Sequence, residues 1–190
     1  MKKFKMMMVA VVFALACGSA SAADFDWSKC WCTFGGGIEQ GDVLLSVGVA
    51  PFSLLGFRSG DGYTYWAVPY SEVNLEVATY VGKLPFTFGG YAGLFMDGVD
   101  YTDAHLKDWF DINLYTGAEA LYHISLPPSE LDVYAGARAG VVIYFGDTTG
   151  VDFSWGVVAL GARYFFSKSF GVNLEIGYPN WVKAGVTFKF

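Results

Sequence analysis

The side chains with the most evident chemistry lie in one short stretch: Asp97, Asp100, Asp103, His105 and Asp108. Carboxylates beside an imidazole can work as a general acid–base pair, or hold a divalent cation through oxygen ligands. The Asp97–Asp103 spacing lacks the full calcium-loop pattern, and the chain has only 2 histidines. A solvated acidic loop is therefore the expected reading, with metal binding and catalysis behind it. A second set is spread along the chain: Glu76, Glu119 and Glu175 against Arg138, Arg163 and Lys183. Balanced charges on the non-apolar side of alternating segments suit an enclosed network, because an enclosed charge without a partner costs several kcal/mol. Such a network either fills a lumen or, by exchanging partners, opens a narrow path for ions. On either reading, Arg138→Ala is expected to strand a carboxylate. A third set, Gly60-Asp61-Gly62-Tyr63-Thr64-Tyr65-Trp66, offers Tyr63, Tyr65 and Trp66 as surface contacts or as an interfacial aromatic belt.

Other site chemistry is thin. No Gly-x-Ser-x-Gly, phosphate loop, His-Glu-x-x-His or paired Cys-x-x-Cys occurs. No catalytic residue, metal or cofactor is assigned, and the chain is not read as an enzyme. Cys30 and Cys32 flank Trp31, and two cysteines cannot complete a zinc site. A Cys-x-Cys disulfide closes a strained ring, so a disulfide and free thiols both stay open.

The elements that must position these residues have a period of two, the signature of half-buried strands. Val182, Ala184, Val186, Phe188 and Phe190 alternate with Lys183, Gly185, Thr187 and Lys189. Val172, Leu174 and Ile176 alternate with Asn173, Glu175 and Gly177; Val158, Leu160, Ala162 and Tyr164 with Gly161, Arg163 and Phe165. The same holds for Val133–Ile143 against Asp132, Tyr134 and Arg138, and for Ile112–Tyr122 against Asn113, Glu119 and His123. Phe86–Met96, Val73–Val81 and Val43–Val49 complete eight segments. Most approach the 9–11 residues that a tilted membrane strand needs. Short connections (82–85, 125–130, 167–169) alternate with long ones (56–70, 97–107), as in a barrel with turns on one side and loops on the other. Treating 31–38 and 62–69 as further strands would give a ten-stranded alternative. The motif Val73-Asn74-Leu75-Glu76-Val77 returns as Val172-Asn173-Leu174-Glu175-Ile176, by hairpin duplication or by shared constraints on barrel strands.

Composition says which face is outside. The chain of 190 residues is 54% hydrophobic and 16% charged, with 24 glycines, whereas soluble domains are about 25% charged. The non-apolar face is mostly Gly, Tyr, Asn, Ser and Thr, which suits the cramped interior of an eight-stranded barrel better than a water-washed surface. Residues 1–22 carry a basic head, a short apolar core and a small-residue end, and read as a secretory signal peptide. A loose lipobox at Ala14–Cys17 is the rival, placing a lipid on Cys17. Three of the 12 basic residues (Lys2, Lys3, Lys5) leave with the signal, so nine face 18 acids, a net of −9. That charge disfavours nucleic acid as a partner.

With these features in place, the chain resembles the small outer-membrane β-barrels of the OmpA-like, OmpX-like and OmpW-like type. The likeness rests on Gly-Ala-Arg-Tyr-Phe-Phe (161–166), Leu-Glu-Ile-Gly-Tyr (174–178) and the C-terminal Ala-Gly-Val-Thr-Phe-Lys-Phe. The resemblance implies that the final aromatic strand, with Phe188 and Phe190, is the signal read by the barrel-assembly machinery. The resulting expectation is an all-β, eight-stranded antiparallel transmembrane up-and-down barrel over 43–190, with 23–42 leading into it. It would sit in the outer membrane among outer-membrane lipid, both barrel termini periplasmic, its lumen plugged. Its role would be structural or surface-binding, for an extracellular ligand the sequence does not name, with minor permeability at most. The alternatives are a transporter of apolar solutes and a lipid-modifying membrane enzyme.

Overall fold

A computed structural model describes residues 29–50, 58–103, 105–147, 149–179 and 181–190. The signal-peptide and Cys17 readings fall outside them. Among the described residues, nine strands form: β1 (Val43–Ala50), β2 (Arg58–Gly60), β3 (Tyr63–Val81), β4 (Leu84–Tyr101), β5 (Trp109–Ser125), β6 (Leu131–Gly146), β7 (Gly150–Phe165), β8 (Phe170–Tyr178) and β9 (Val182–Lys189). Each strand from β3 to β9 pairs antiparallel with its chain neighbour, and β1 pairs with both β9 and β3. The sheet therefore closes into an eight-stranded antiparallel barrel, with β2 a short addition to the loop end of β3. Closure removes the sheet edge along most of the wall, which a barrel without water around it requires.

The turn end is built from tight connections. Val81 pairs with Leu84 across Gly82-Lys83, and Gly82 takes φ 66°, the left-handed conformation that two-residue hairpins demand of their first central residue. The wall is uneven at the loop end. Strands β3 to β7 are 16 to 19 residues long, while β1, β8 and β9 have 8 or 9. One side of the barrel thus stands taller than the other.

Faces alternate as the period of two requires. In β3, Tyr70, Glu72, Asn74, Glu76 and Ala78 are buried, while Ser71, Val73, Leu75 and Val77 are exposed. The outer face is mostly apolar: Leu75 and Leu174 are 53% and 49% exposed. The inner face carries the polar and charged residues, among them Ser46, Thr87, Asn113, His123, Arg163 and Thr187.

Three sequence expectations change. Residues 31–38 make turns and no strand, and 63–69 belong to the single strand β3, so the ten-stranded alternative fails. Val158 faces inward, 3% exposed, packing with Leu121 and Tyr134, where strict alternation puts it outside. The cause is a bulge: Val158 pairs with Gly177 but Leu160 with Ile176, so Ala159 is an extra residue that resets the parity of β7. A second bulge lies between Val68 and Ser71 at Pro69, whose missing N–H cannot serve the ladder. Finally, residues 29–42 do more than lead in. Phe34 and Ile38 are buried with Leu44, Ala78 and Phe165, and Ser125 N–H donates to Cys30 O while Gly36 N–H donates to Leu131 O. The segment plugs the turn end of the barrel.

Candidate functional site: an ion-paired lumen closed by a plug

An eight-stranded barrel has just enough room inside for side chains, and several lumen residues fit only because a glycine lies beside them. A Cβ at Gly93 would strike the Tyr70 ring, one at Gly161 the Tyr134 ring, and one at Gly185 the Asn173 amide. The glycines of the sequence thus make space for the polar interior.

Two clusters occupy that interior. In the cluster nearer the loop end, Arg138 from β6 reaches three strands: its Nη1 lies 3.0 Å from Glu72, its Nε 2.8 Å from Glu119 and its Nη2 3.0 Å from Glu175. Lys183 of β9 pairs with Glu72, and with Glu175 at 2.9 Å. The remaining acceptors are shared with neutral donors. Tyr70 Oη donates to Glu72 at 2.5 Å, Tyr134 Oη to Glu175 at 2.9 Å, and Asn74 Nδ2 to Glu119 at 3.0 Å. Two voids of about 20 Å³ flank Arg138, each little more than the room one water needs.

The second cluster lies toward the turn end. Arg163 pairs with Glu76 and stands 3.9 Å from Asp132, its guanidinium 4.2 Å over the Tyr134 ring. Asp132 contacts His123 Nδ1 at 2.9 Å, and His123 Nε2 lies 3.0 Å from Thr87 Oγ1. A hydroxyl, an imidazole and a carboxylate in a row resemble a nucleophilic triad, but the hydrogen-bond inventory reads otherwise. Thr87 has one hydroxyl proton and donates it to Glu76 at 2.6 Å. That proton is therefore not held by the imidazole, and the row from Thr87 through His123 to Asp132 is a chain of buried hydrogen bonds beside the Arg163–Glu76 pair rather than an activated hydroxyl. All of these side chains are almost wholly buried, and Phe34 of the plug packs against the imidazole with ring centroids 5.2 Å apart.

The six lumen residues named from sequence divide between the clusters: Glu119, Arg138, Glu175 and Lys183 in one, Glu76 and Arg163 in the other. Glu72, Asp132 and His123 were missed as members. Asp132 and His123 already stood on the polar side of their segments. Glu72 keeps the parity of Asn74 and Glu76, one residue before the apolar alternation that starts at Val73.

The loop-end residues do not converge. Tyr65 Oη donates to Asp97 at 3.0 Å, and Trp66 stacks on Phe110 at 5.6 Å. Tyr63, Asp100, Asp103 and His105 are exposed; His105 N–H donates to Asp103, and Asp108 accepts from Tyr101 N–H at 2.6 Å. Lys107 and Asp147 clasp two loops: Asp147 also accepts from Phe110 N–H, and these hydrogen bonds hold its carboxyl below the usual range. Among the described residues, no three of His, Cys, Asp and Glu are placed to hold a metal ion. No disulfide joins Cys30, which is buried, to Cys32, which is exposed. On β9, Phe188 is half-buried, and Phe190 follows it, exposed.

Comparison with protein families and with curated proteins finds no match. Among solved structures, the chain is similar to one described under "De novo design of transmembrane beta-barrels", with 16% sequence identity, 80% of this chain and 98% of that chain covered, and a TM-score of 0.37. What speaks for lipid is the wall itself. Ion pairs lie inside, and exposed Val, Leu and aromatic side chains lie outside, an arrangement that water would invert.

Proposed function

We propose that the chain is an integral outer-membrane barrel, non-enzymatic, with a lumen shut to solutes and a loop end used for surface binding. The observation that carries the closed lumen is the pairing of Arg138 with three carboxylates, directly above a second ion cluster and a plug. Conduction through this barrel requires both clusters to break and the plug to leave. The uneven wall supports surface binding. The tall strands β3 to β7 lift Val151 and Phe153, 63% and 73% exposed, together with the acidic residues Asp100, Asp103 and Asp152, clear of the short strands. The reading of residues 1–22 as an export signal and the position of the plug at the turn end support an orientation with the turns in the periplasm and with Phe188 and Phe190 at the end that assembly machinery would read.

Planar-bilayer recording on refolded protein tests the closed lumen: rare, small openings are expected, and a steady open conductance contradicts it. A second reading, a carrier of apolar solutes, draws on the low side of the wall above β8, β9 and β1. It requires uptake of an apolar solute into protein-containing vesicles that unliganded bilayers do not show.

A further inference from the structure

We infer that the turn end binds the headgroup of a zwitterionic aminophospholipid, a primary ammonium joined to a phosphodiester; the inference rests on the membrane placement proposed above. A cleft of about 630 Å³ lies there between the plug and the rim of the barrel. Its floor is the ring of Phe165, with Lys189 Nζ 5.0 Å above it. Its lips are Phe166 and Phe190, 64% and 73% exposed. Acyl chains have a continuous path downstream, because Tyr164, Phe166, Phe170 and Phe188 form an outward ladder of ring contacts at 5.2, 6.4 and 5.5 Å. The cleft thus joins the lipid-facing wall to a polar recess, the shape that a lipid with a seated headgroup fits.

The charges select the headgroup. Glu39, Asp42 and Glu130 line the cleft together with Lys168 and Lys189. Lys189 donates to the carbonyls of Gly36 and Gly37 and stands 4.0 Å from Asp42, so Lys168 on the β7–β8 turn is the amine with the greater freedom to meet a phosphate. An anionic headgroup meets three carboxylates against two ammoniums and is repelled. A headgroup that ends in a primary ammonium satisfies Glu39 and Glu130 as a donor while its phosphodiester meets Lys168. A quaternary ammonium carries charge but no N–H, and so loses those hydrogen bonds.

The test refolds the full chain into vesicles with equal parts of phosphatidylethanolamine, phosphatidylcholine and phosphatidylglycerol. The protein is extracted gently and its retained lipid measured by mass spectrometry. Phosphatidylethanolamine should be enriched about threefold over each of the others, the worth of one or two exposed ion pairs. Lys168→Glu should abolish the enrichment, and Glu130→Lys should move it to phosphatidylglycerol. Both residues lie on turns outside the ion clusters, and a heat-modifiable folded band confirms that the variants insert. Retained lipid that matches the vesicle, or enrichment that survives Lys168→Glu, overturns the site alone. Failure of the parent chain to insert overturns the membrane placement, and the site with it.

Discussion

Arg138→Met tests whether the ion network holds the barrel together. The substitution keeps most of the side-chain volume and deletes the charge that pairs Glu72, Glu119 and Glu175 at 2.8 to 3.0 Å. In the parent, Arg138 and Lys183 face those three carboxylates; in the variant, Lys183 alone does, and it contacts Glu72 and Glu175 but not Glu119. Among the described residues, Glu119 then keeps the Asn74 amide as its hydrogen-bond partner. Breaking a buried ion pair from one side costs about 3–5 kcal/mol, because the partner stays buried and uncompensated. Pairing Arg138→Met with Glu119→Gln removes the stranded charge and should recover at least about 1 kcal/mol, since neighbours in one network are not additive. Urea titrations of refolded protein in vesicles, followed by tryptophan fluorescence and by the heat-modifiable gel band, measure both steps. A loss below about 1 kcal/mol in the single variant, or no recovery in the double, refutes the reasoning.

Three further outcomes follow from the same geometry. The repeated Val-Asn-Leu-Glu motif places Asn74 against Glu119 and Lys183, but leaves Asn173 with neither amide atom hydrogen-bonded among the described residues. Asn74→Leu should therefore cost about 1–3 kcal/mol and Asn173→Leu nothing or less than nothing; equal costs by urea titration would show that the two copies are energetically alike. Phe34 pins the plug, so a maleimide probe should label exposed Cys32 fast and buried Cys30 slowly, and Phe34→Ala should speed Cys30 alone; equal rates in the parent argue against a seated plug. The Lys107–Asp147 clasp has a definite pH sign. Hydrogen bonds from Lys107 and from Phe110 N–H lower the Asp147 carboxyl, so its contribution is present above the ordinary carboxylate range and is lost as pH falls through the depressed value. The Phe110 amide resonance should titrate below the ordinary aspartate value of about 3.9 and cease to do so in Asp147→Asn; a midpoint at or above that value rejects the clasp.

The wall was legible in the sequence because period-two alternation is local: Val73, Leu75 and Val77 face outward whatever the rest of the chain does. Parity fails where one residue is inserted, and nothing about Ala159 or Val158 announces a bulge, so Val158 was expected outside. Ladders also run further than the apolar signal. Tyr63, Tyr65 and Asp97 stand on β3 and β4 above the apolar band, and composition alone made them loop residues. The plug was illegible for a different reason. Phe34 and Ile38 reach one buried cluster only because the turns around Gly35, Gly36 and Gly37 let the segment fold back under the rim, where Gly35 lies against Leu131 and Gly36 against Phe165. No periodicity encodes a contact with residues a hundred positions away. The charged lumen was partly visible, since balanced charges on one parity imply pairing. Which carboxylate meets which guanidinium depends on barrel closure, and Arg138 spans β3, β5 and β8 only once the sheet is round.

The apolar face of the barrel meets lipid while the ion-paired face is enclosed. Nitroxide labels on single cysteines at Leu75 and Leu174, and at Thr64 on the loop end, test it directly in bilayers. Collision with oxygen, which concentrates in lipid, should dominate at Leu75 and Leu174, and collision with a water-soluble nickel chelate at Thr64. A nickel response at Leu75 or Leu174 as strong as that at Thr64 would contradict the account, because those side chains would then face water.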